Sequence, residues 1–189
     1  MEGGGMNSYV ILMRGINVGG KNKIPMAELK LHHEELGFES VVTYIQSGNV
    51  VLRSDLDAEA LSAKIEDMLP KKFTLNSSII RVVALEYETF KKIVMQAPKE
   101  FGEDIANYRY NVIFLMNFST TKAMEQIDAR QGVDEVWQGD KAIYYRNSIP
   151  NASKSHLSKI TQQPIYQFIT IRNWNTTTKL LQLLEEHKI

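Results

Sequence analysis

Cysteine is absent from this chain of 189 residues, which excludes disulfide bonds, thiolate zinc sites and a cysteine nucleophile. No uninterrupted apolar run approaches the ~18 residues that a membrane-spanning helix needs. The N-terminal sequence MEGGGMNSYV lacks the basic patch and the apolar stretch of a signal peptide. Net charge is absent too, because 22 basic residues balance 22 acidic ones, and this balance argues against a protein that coats nucleic acid or a membrane.

The composition that remains is that of an ordinary globular protein, with 43% hydrophobic and 23% charged residues. A chain of this length forms one compact domain or two small, intimately packed ones. The four histidines show neither HxH nor HExxH spacing, so we expect no metal site and no cofactor. We expect a cytoplasmic protein, monomeric or weakly homo-oligomeric, without a membrane partner.

Hydrophobic periodicity and turn residues predict a β-α-β-β-α-β order in the first half of the chain. Pro25 fits the first position of a helix that ends at Gly37, and a second helix begins near Asp57. A further helix over 86–96 follows. The predicted strands are residues 9–14, 41–46, 49–53 and 79–84.

The second half repeats the same order and adds a helix. Ser119 or Thr120 caps a predicted helix that ends before Gly132, and a short helix is predicted over 153–161. Asn173 or Asn175 caps the last helix. The predicted strands are residues 110–116, 133–138, 141–146 and 166–171.

We interpret this order as an α+β fold of two tandem ferredoxin-like units with antiparallel sheets and extra helices. Gly37 and Gly132 lie 132 − 37 = 95 residues apart, and the hairpin glycines Gly48 and Gly139 lie 139 − 48 = 91 apart. The alternative is a coincidental series of short elements. The predicted segments are a leader or vector remnant over 1–5, a first unit over 6–97, a connection over 98–109 and a second unit over 110–189.

The topology brings the loop after the first strand to the same sheet edge as the hairpin between strands two and three. No acid lies between Arg14 and Lys23, and glycine N–H groups with basic side chains favour anion binding. The loop matches neither GxxxxGK[ST] nor GxGxxG, which excludes a recognisable nucleotide motif. The alternative is that the Gly-Gly pair only turns the chain. The candidate ligand-binding residues of this edge are Arg14, Asn17, Gly19, Gly20, Lys21, Asn22, Lys23, Gln46, Ser47, Gly48 and Asn49.

A second basic cluster lies near the C-terminus, where residues 141–184 contain six bases and no acid. Its candidate ligand-binding residues are Lys154, His156, Arg172, Asn173 and Asn175. An asparagine at the start of a helix is first of all an N-cap, and Trp174 is more often a packing residue than a stacking platform. The planar guanidinium of Arg172 is the stronger candidate for anion binding.

Two alternatives use these regions differently. RNA recognition on the sheet face needs exposed aromatics on strands one and three, for which the candidates are Tyr9 in the first half and Tyr110, Phe114, Tyr144 and Tyr145 in the second. An enzyme would use Lys154 or His156 as acid/base and Arg14 as electrophile. A serine nucleophile at position 47 or 155 has no GxSxG motif to support it, so no catalytic residue is assigned.

Four segments resemble a known bacterial family, the domain-of-unknown-function family sixteen ninety-seven. They are RGINVGGKNKIPM (14–26), TYIQSGNVV (43–51), SKSHLSKI (153–160) and ITIRNWNTTTKLLQLL (169–184). The resemblance implies a small cytosolic protein with a duplicated ferredoxin-like arrangement, and it implies no activity.

The sequence therefore predicts a binding module for a phosphate-bearing ligand, either a nucleotide, a phosphometabolite or a nucleic-acid segment. The alternatives are an enzyme that acts on a small phosphorylated substrate at the same loop edge, and a subunit of an assembly.

Overall fold

The structure is a computed structural model that describes residues 5–76 and 80–187. Most of the predicted leader, and Ile79 in a predicted strand, lie outside the described residues. The chain forms two compact units, Met1–Phe90 with Leu180–Ile189 and Lys91–Lys179. Within the described residues, no helix combines the length and the apolar character needed to cross a membrane.

The first unit has the predicted order of elements, which are β1 (Asn7–Arg14), α1 (Met26–Glu35), β2 (Glu39–Tyr44), β3 (Asn49–Ser54), α2 (Ala58–Lys72) and β4 (Arg81–Glu86). The strands form an antiparallel four-stranded sheet in the order β2-β3-β1-β4. Asp57 caps α2 by accepting a hydrogen bond from the Ala60 N–H (2.8 Å), and Gly37, with φ +88°, follows the end of α1.

Alternation along β1 places Tyr9, Ile11 and Met13 on one face of this sheet, where they are buried with Leu61 and Ile65 of α2. Burial of such apolar side chains is the main favourable contribution to the folding of the unit. After β1 the chain enters loop 15–24, whose Ile16 and Ile24 are buried in the same core.

The remaining elements of the chain are α3 (Tyr87–Met95), β5 (Tyr108–Leu115), α4 (Thr120–Gln126), β6 (Asp134–Gln138), β7 (Ala142–Ser148), three 3-10 turns (Ala152–Lys154, Leu157–Gln162, Pro164–Phe168), β8 (Ile169–Asn173) and α5 (Trp174–Glu186). The sheet of the second unit is β6-β7-β5-β8, with the strand order of the first. Both units are therefore ferredoxin-like, with helices or turns on one face of an antiparallel sheet.

The prediction that the first helix of the second half ends at Gly132 is wrong. Ser119 caps α4, as predicted, but the helix ends at Gln126. The side chain of Gln163 accepts from the Asp128 N–H and donates to the Asp128 carbonyl (both 3.0 Å), which supplies these backbone groups with partners outside a helix. The Gly37–Gly132 spacing is therefore not a spacing of equivalent helix ends.

The predicted helix 153–161 and strand 166–171 also differ from the structure. The first is a series of 3-10 turns interrupted at Lys159 (φ −112°), and the strand β8 begins at Ile169. Pro164 fits the first position of the third turn, and this turn occupies the residues at which the strand was predicted to begin. The side chain of Ser158 donates to the carbonyl of Ser155 (2.9 Å) and further favours a turn over a helix.

The division into compact units falls after Phe90, within α3, and after Lys179, within α5. Residues predicted to be a connection pack within the second unit, where the ring of Phe101 lies 5.0 Å from that of Tyr110 and 5.7 Å from that of Tyr144.

Candidate functional site

The loop after β1 and the β2–β3 hairpin meet at one edge of the first unit, as the topology predicts. Leu12 and Asn49 are register partners, and the Met13 N–H donates to the Gly48 carbonyl (2.9 Å). A Cβ at Gly48 would lie 2.9 Å from side-chain atoms of Ile16 and of Met13. Glycine is therefore required where the hairpin passes against the loop.

The Gly-Gly pair forms the turn of a small hairpin inside the loop. The Asn17 N–H donates to the Asn22 carbonyl (2.9 Å), and the Lys21 N–H donates to the Val18 carbonyl (3.0 Å). The φ angles of Gly19 and Gly20 are +57° and +74°, which are those of the type I′ turn that favours glycine at both positions. These glycines do turn the chain, so their presence in the sequence needs no ligand to explain it.

Two asparagines predicted to contact a ligand instead hold this loop in shape. The side chain of Asn17 donates to the Ile24 carbonyl (3.0 Å) and accepts from its N–H (2.8 Å). The buried side chain of Asn22 donates to the Gly15 carbonyl (2.7 Å) and accepts from the Asn76 N–H (2.6 Å). Both residues have positive φ, at 53° and 49°, a conformation that these bonds stabilise.

Asn49 has a comparable role in the neighbouring hairpin. It is fully buried, and its side-chain amide donates to the Tyr44 carbonyl (3.2 Å) and to the hydroxyl of Ser47 (2.8 Å). The three asparagines of this edge are therefore structural groups that fix the loop and the hairpin, and their amides are engaged within the unit.

The groups that face solvent at this edge are Gly19, Gly20, Lys21, Lys23 and Gln46, all of them exposed. Among residues 5–76 and 80–187, the two glycine N–H groups make no hydrogen bond, and the two lysines make no ion pair. Arg14 is half-buried beside them at the end of β1.

Arg81 is a further basic residue of this edge and is not among the residues predicted from the sequence. It is the register partner of Arg14 across β1 and β4, and its guanidinium lies 3.7 Å from the carboxylate of Glu66. Like charges directly opposite in a sheet are unfavourable. Because β4 pairs with β1 in this strand order, the arginine near the start of the fourth strand could have indicated a basic residue opposite Arg14.

The predicted C-terminal cluster is at a sheet edge of the second unit, but its members have different roles. Asn173 caps α5, because its side chain accepts from the Thr176 N–H (2.7 Å). Arg172 is buried and donates to the hydroxyl of Thr170 (2.9 Å) and to the Ile171 carbonyl (2.8 Å). Burial lowers the pKa of Arg172 to about 10. A buried guanidinium with internal partners serves packing, contrary to the expectation that it faces a ligand.

Lys154 and His156 are exposed on the turns that follow β7. The imidazole Nδ1 of His156 lies 3.0 Å from a carboxylate oxygen of Asp128. The hydroxyl of Ser155 is buried and donates to the carboxylate of Asp134 (2.5 Å), so it is not paired with the neighbouring imidazole. This arrangement lacks the nucleophile–base contact that a serine mechanism requires.

Sheet-face RNA recognition is not supported, since the rings that would stack on bases are all at most 6% exposed. These are Tyr9, Tyr110, Phe114, Tyr144 and Tyr145. The hydroxyl of Tyr144 donates to the Ile93 carbonyl (2.5 Å), and burial raises the pKa of Tyr144 to about 12. In the part of the chain that the structure describes, no group of three or more histidine and acidic side chains could hold a metal ion.

A pocket of about 370 Å³ in the second unit was not predicted as such. Two of its lining residues, Asn173 and Asn175, belong to the predicted cluster. Trp174 lies between them, and the other six come from the segment 102–111, which was predicted to be a connection and the start of a strand. The lining residues are Gly102, Ile105, Tyr108, Arg109, Tyr110, Asn111, Asn173, Trp174 and Asn175.

Comparison with solved structures finds a similar arrangement in the conserved bacterial protein SP0830 from Streptococcus pneumoniae. The two chains share 29% sequence identity with a TM-score of 0.80, over 95% of this chain and 99% of that chain. No curated protein matches the sequence. A family model matches residues 6–145, which include the loop and hairpin motifs of the first unit. The chain therefore belongs to the family described as "Protein of unknown function (DUF1697)".

Proposed function

We propose that the first unit binds a phosphate-bearing ligand at the edge formed by loop 15–24 and the β2–β3 hairpin. The observation that carries this proposal is the small hairpin at residues 17–22, where the N–H groups of Gly19 and Gly20 have no hydrogen-bond partner among the described residues and lie beside two exposed lysines. Backbone N–H groups and lysine ammonium groups are the usual ligands of phosphate oxygens.

The internal hydrogen bonds of Asn17 and Asn22 support the proposal through preorganisation. A loop whose conformation is already fixed loses little conformational entropy when a ligand binds. The positive φ angles of both asparagines cost free energy that the loop hydrogen bonds offset, and such strain is concentrated at functional sites.

The local charge supports it as well. Neither loop 15–24 nor the hairpin segment 43–49 contains an acid, although the chain as a whole is neutral. Arg14 and Arg81 add two further basic side chains at the same edge, where they are register partners and Arg81 also lies beside Glu66. A nucleotide, a phosphometabolite or a nucleic-acid segment would each supply that anion.

The test is a titration of the full chain with pyrophosphate, followed through backbone amide NMR shifts. We expect the amides of Gly19, Gly20, Ser47 and Gly48 to move. Changing Lys21 and Lys23 together to glutamine should weaken binding roughly 10-fold or more, because each charge-assisted contact contributes on the order of 1 kcal/mol.

The matched control is Lys30→Gln with Lys71→Gln, which removes the same charge from α1 and α2, where these lysines pair with Glu34 and Asp67. The control should bind pyrophosphate as the unchanged protein does. The proposal is refuted if the NMR signals of the loop amides do not shift on addition of pyrophosphate. It is also refuted if both double variants lose the same affinity for pyrophosphate.

A further inference from the structure

The pocket of the second unit is framed by an aromatic cluster around Phe101. The ring of Phe101 contacts Tyr110, Tyr144 and Trp137 edge-on, at centroid distances of 5.0, 5.7 and 5.8 Å, and Trp174 at 5.2 Å. These edge-to-face contacts anchor the segment before β5 on the sheet. The pocket walls are therefore held by packed rings rather than by a free loop.

Gly102 fixes one wall of the pocket against Trp174. Its φ is +91°, and a Cβ at this position would overlap the indole of Trp174. Only glycine permits this approach of the chain to the ring. Ile105, three residues later, also lines the pocket, with 66% of its surface exposed.

Three polar side chains of the pocket are available, in contrast to the engaged amides of the first unit, whereas Asn173 caps α5 and the Tyr110 hydroxyl accepts from the Asp104 N–H. Asn111 and Asn173 are register partners on β5 and β8, so their side chains lie side by side on one face of the sheet. Within the described ranges, the side chains of Arg109, Asn111 and Asn175 make no hydrogen bond or ion pair. Unpaired amides at a shared pocket are typical of sites that orient a ligand.

The charge of the pocket comes from Arg109, since no acid is among the lining residues. The neighbouring Arg146 lies over the ring of Tyr108, with its Cζ 4.0 Å from the ring centroid, and its charge is paired with Glu135 (2.7 Å). A ligand in this pocket would therefore meet one unpaired positive charge.

We propose that this pocket binds a small planar aromatic molecule that carries one anionic group. The aromatic ring of the ligand contacts Tyr108, Trp174 and Ile105. The side-chain amides of Asn111 and Asn175 form hydrogen bonds with the polar edge of the ligand, and Arg109 pairs with its anionic group. The volume of about 370 Å³ is at the lower end of the range for small-molecule sites. This site is independent of the phosphate edge of the first unit.

Aromatic carboxylates and nucleoside monophosphates both have this chemistry, and the test separates them. Indole-3-acetate and AMP are titrated into the full chain, each beside its neutral counterpart, indole-3-acetamide and adenosine. The readout is the amide shifts of Tyr108, Asn111 and Trp174. Binding of either anion with a Kd of about 1 mM or tighter supports the proposal and identifies the source.

Two variants test the assigned roles. Arg109→Gln should lower the affinity for the anion roughly 10-fold and leave the affinity for its neutral counterpart unchanged. Asn111→Ala should lower the affinity for both. The matched control Lys122→Gln, at an exposed position of α4, should change the affinity for neither compound. The double change of Lys21 and Lys23 should also leave these shifts intact, which keeps this test separate from that of the phosphate edge.

Three outcomes would overturn the proposal. One is the absence of pocket shifts at about 10 mM of all four compounds. Another is an equal effect of Arg109→Gln and Lys122→Gln on the anion. The third is an equal affinity for the anions and for their neutral counterparts.

Discussion

Replacing Asp134 with alanine is expected to destabilise the second unit by about 3–5 kcal/mol, the largest effect of any single change that we predict. The carboxylate is buried at the start of β6 and accepts from the hydroxyl of Ser155 (2.5 Å). It also accepts from the N–H groups of Arg130 (2.9 Å), His156 (2.9 Å) and Leu157 (3.3 Å). Alanine would leave these donors without their partner, and buried donors without acceptors are costly.

Urea unfolding at pH 7 measures this effect, and amide hydrogen exchange in β6 and β7 locates it in the second unit. The control is Asp128→Ala, whose exposed carboxylate contacts only the exposed imidazole of His156 among the described side chains. We expect the control to change the free energy of unfolding by less than about 0.5 kcal/mol. A loss below about 1 kcal/mol in Asp134→Ala would show that the segment 128–134 is held by other contacts.

The sequence was informative where one residue decides local geometry. Gly37 ends α1, Asp57 and Ser119 cap their helices, and the β2–β3 hairpin forms as predicted. Apolar and β-rich runs bounded by turn residues also predicted the strands, and β1 is such a run, buried on both faces from Tyr9 to Met13. These signals are local, and they were sufficient for the ferredoxin-like fold of both units.

Elements that depend on distant partners could not be predicted. The end of α4 is set by the side chain of Gln163, which is 35 residues away from Asp128, its backbone partner. The pocket wall at Gly102 is set by contact with Trp174, and no local pattern connects the two. Such contacts exist only after the sheet has brought distant segments together.

The roles of the asparagines in the two candidate regions could not be predicted from the local sequence either. The sequence placed Asn17, Asn22 and Asn175 in two candidate binding regions without distinguishing their roles. The structure engages the first two in backbone hydrogen bonds, whereas no described residue is a side-chain partner of the third. An asparagine that stabilises a positive φ and an asparagine that is free to bind a ligand have the same local sequence signature.

His33 makes the stability of the first unit depend on pH. It lies on the buried face of α1 with no exposed surface, and its Nδ1 donates to the Leu29 carbonyl (2.7 Å). The Nε2 atom is buried and has no hydrogen-bond partner within the described residues. Burial is the main cause that lowers the pKa of His33 from 6.5 to about 4, and the nearby His32 lowers it slightly further. The folded protein therefore holds this imidazole neutral at pH 7.

Lowering the pH from 7 to 5 is expected to reduce the free energy of unfolding by about 2 kcal/mol through His33. The reduction reaches about 3 kcal/mol once the pH falls below about 4. The unfolded chain binds a proton as the pH passes through 6.5, whereas the folded chain binds it only near 4, so stability is full above 6.5 and is lost between these values. His33→Leu places an apolar side chain of similar size at this position of α1. The variant should lose this part of the difference between the free energies of unfolding measured in urea at pH 7 and at pH 5. His156→Gln, at an exposed site, should retain it. An unchanged difference in His33→Leu would mean that the buried imidazole does not control the pH dependence of the first unit.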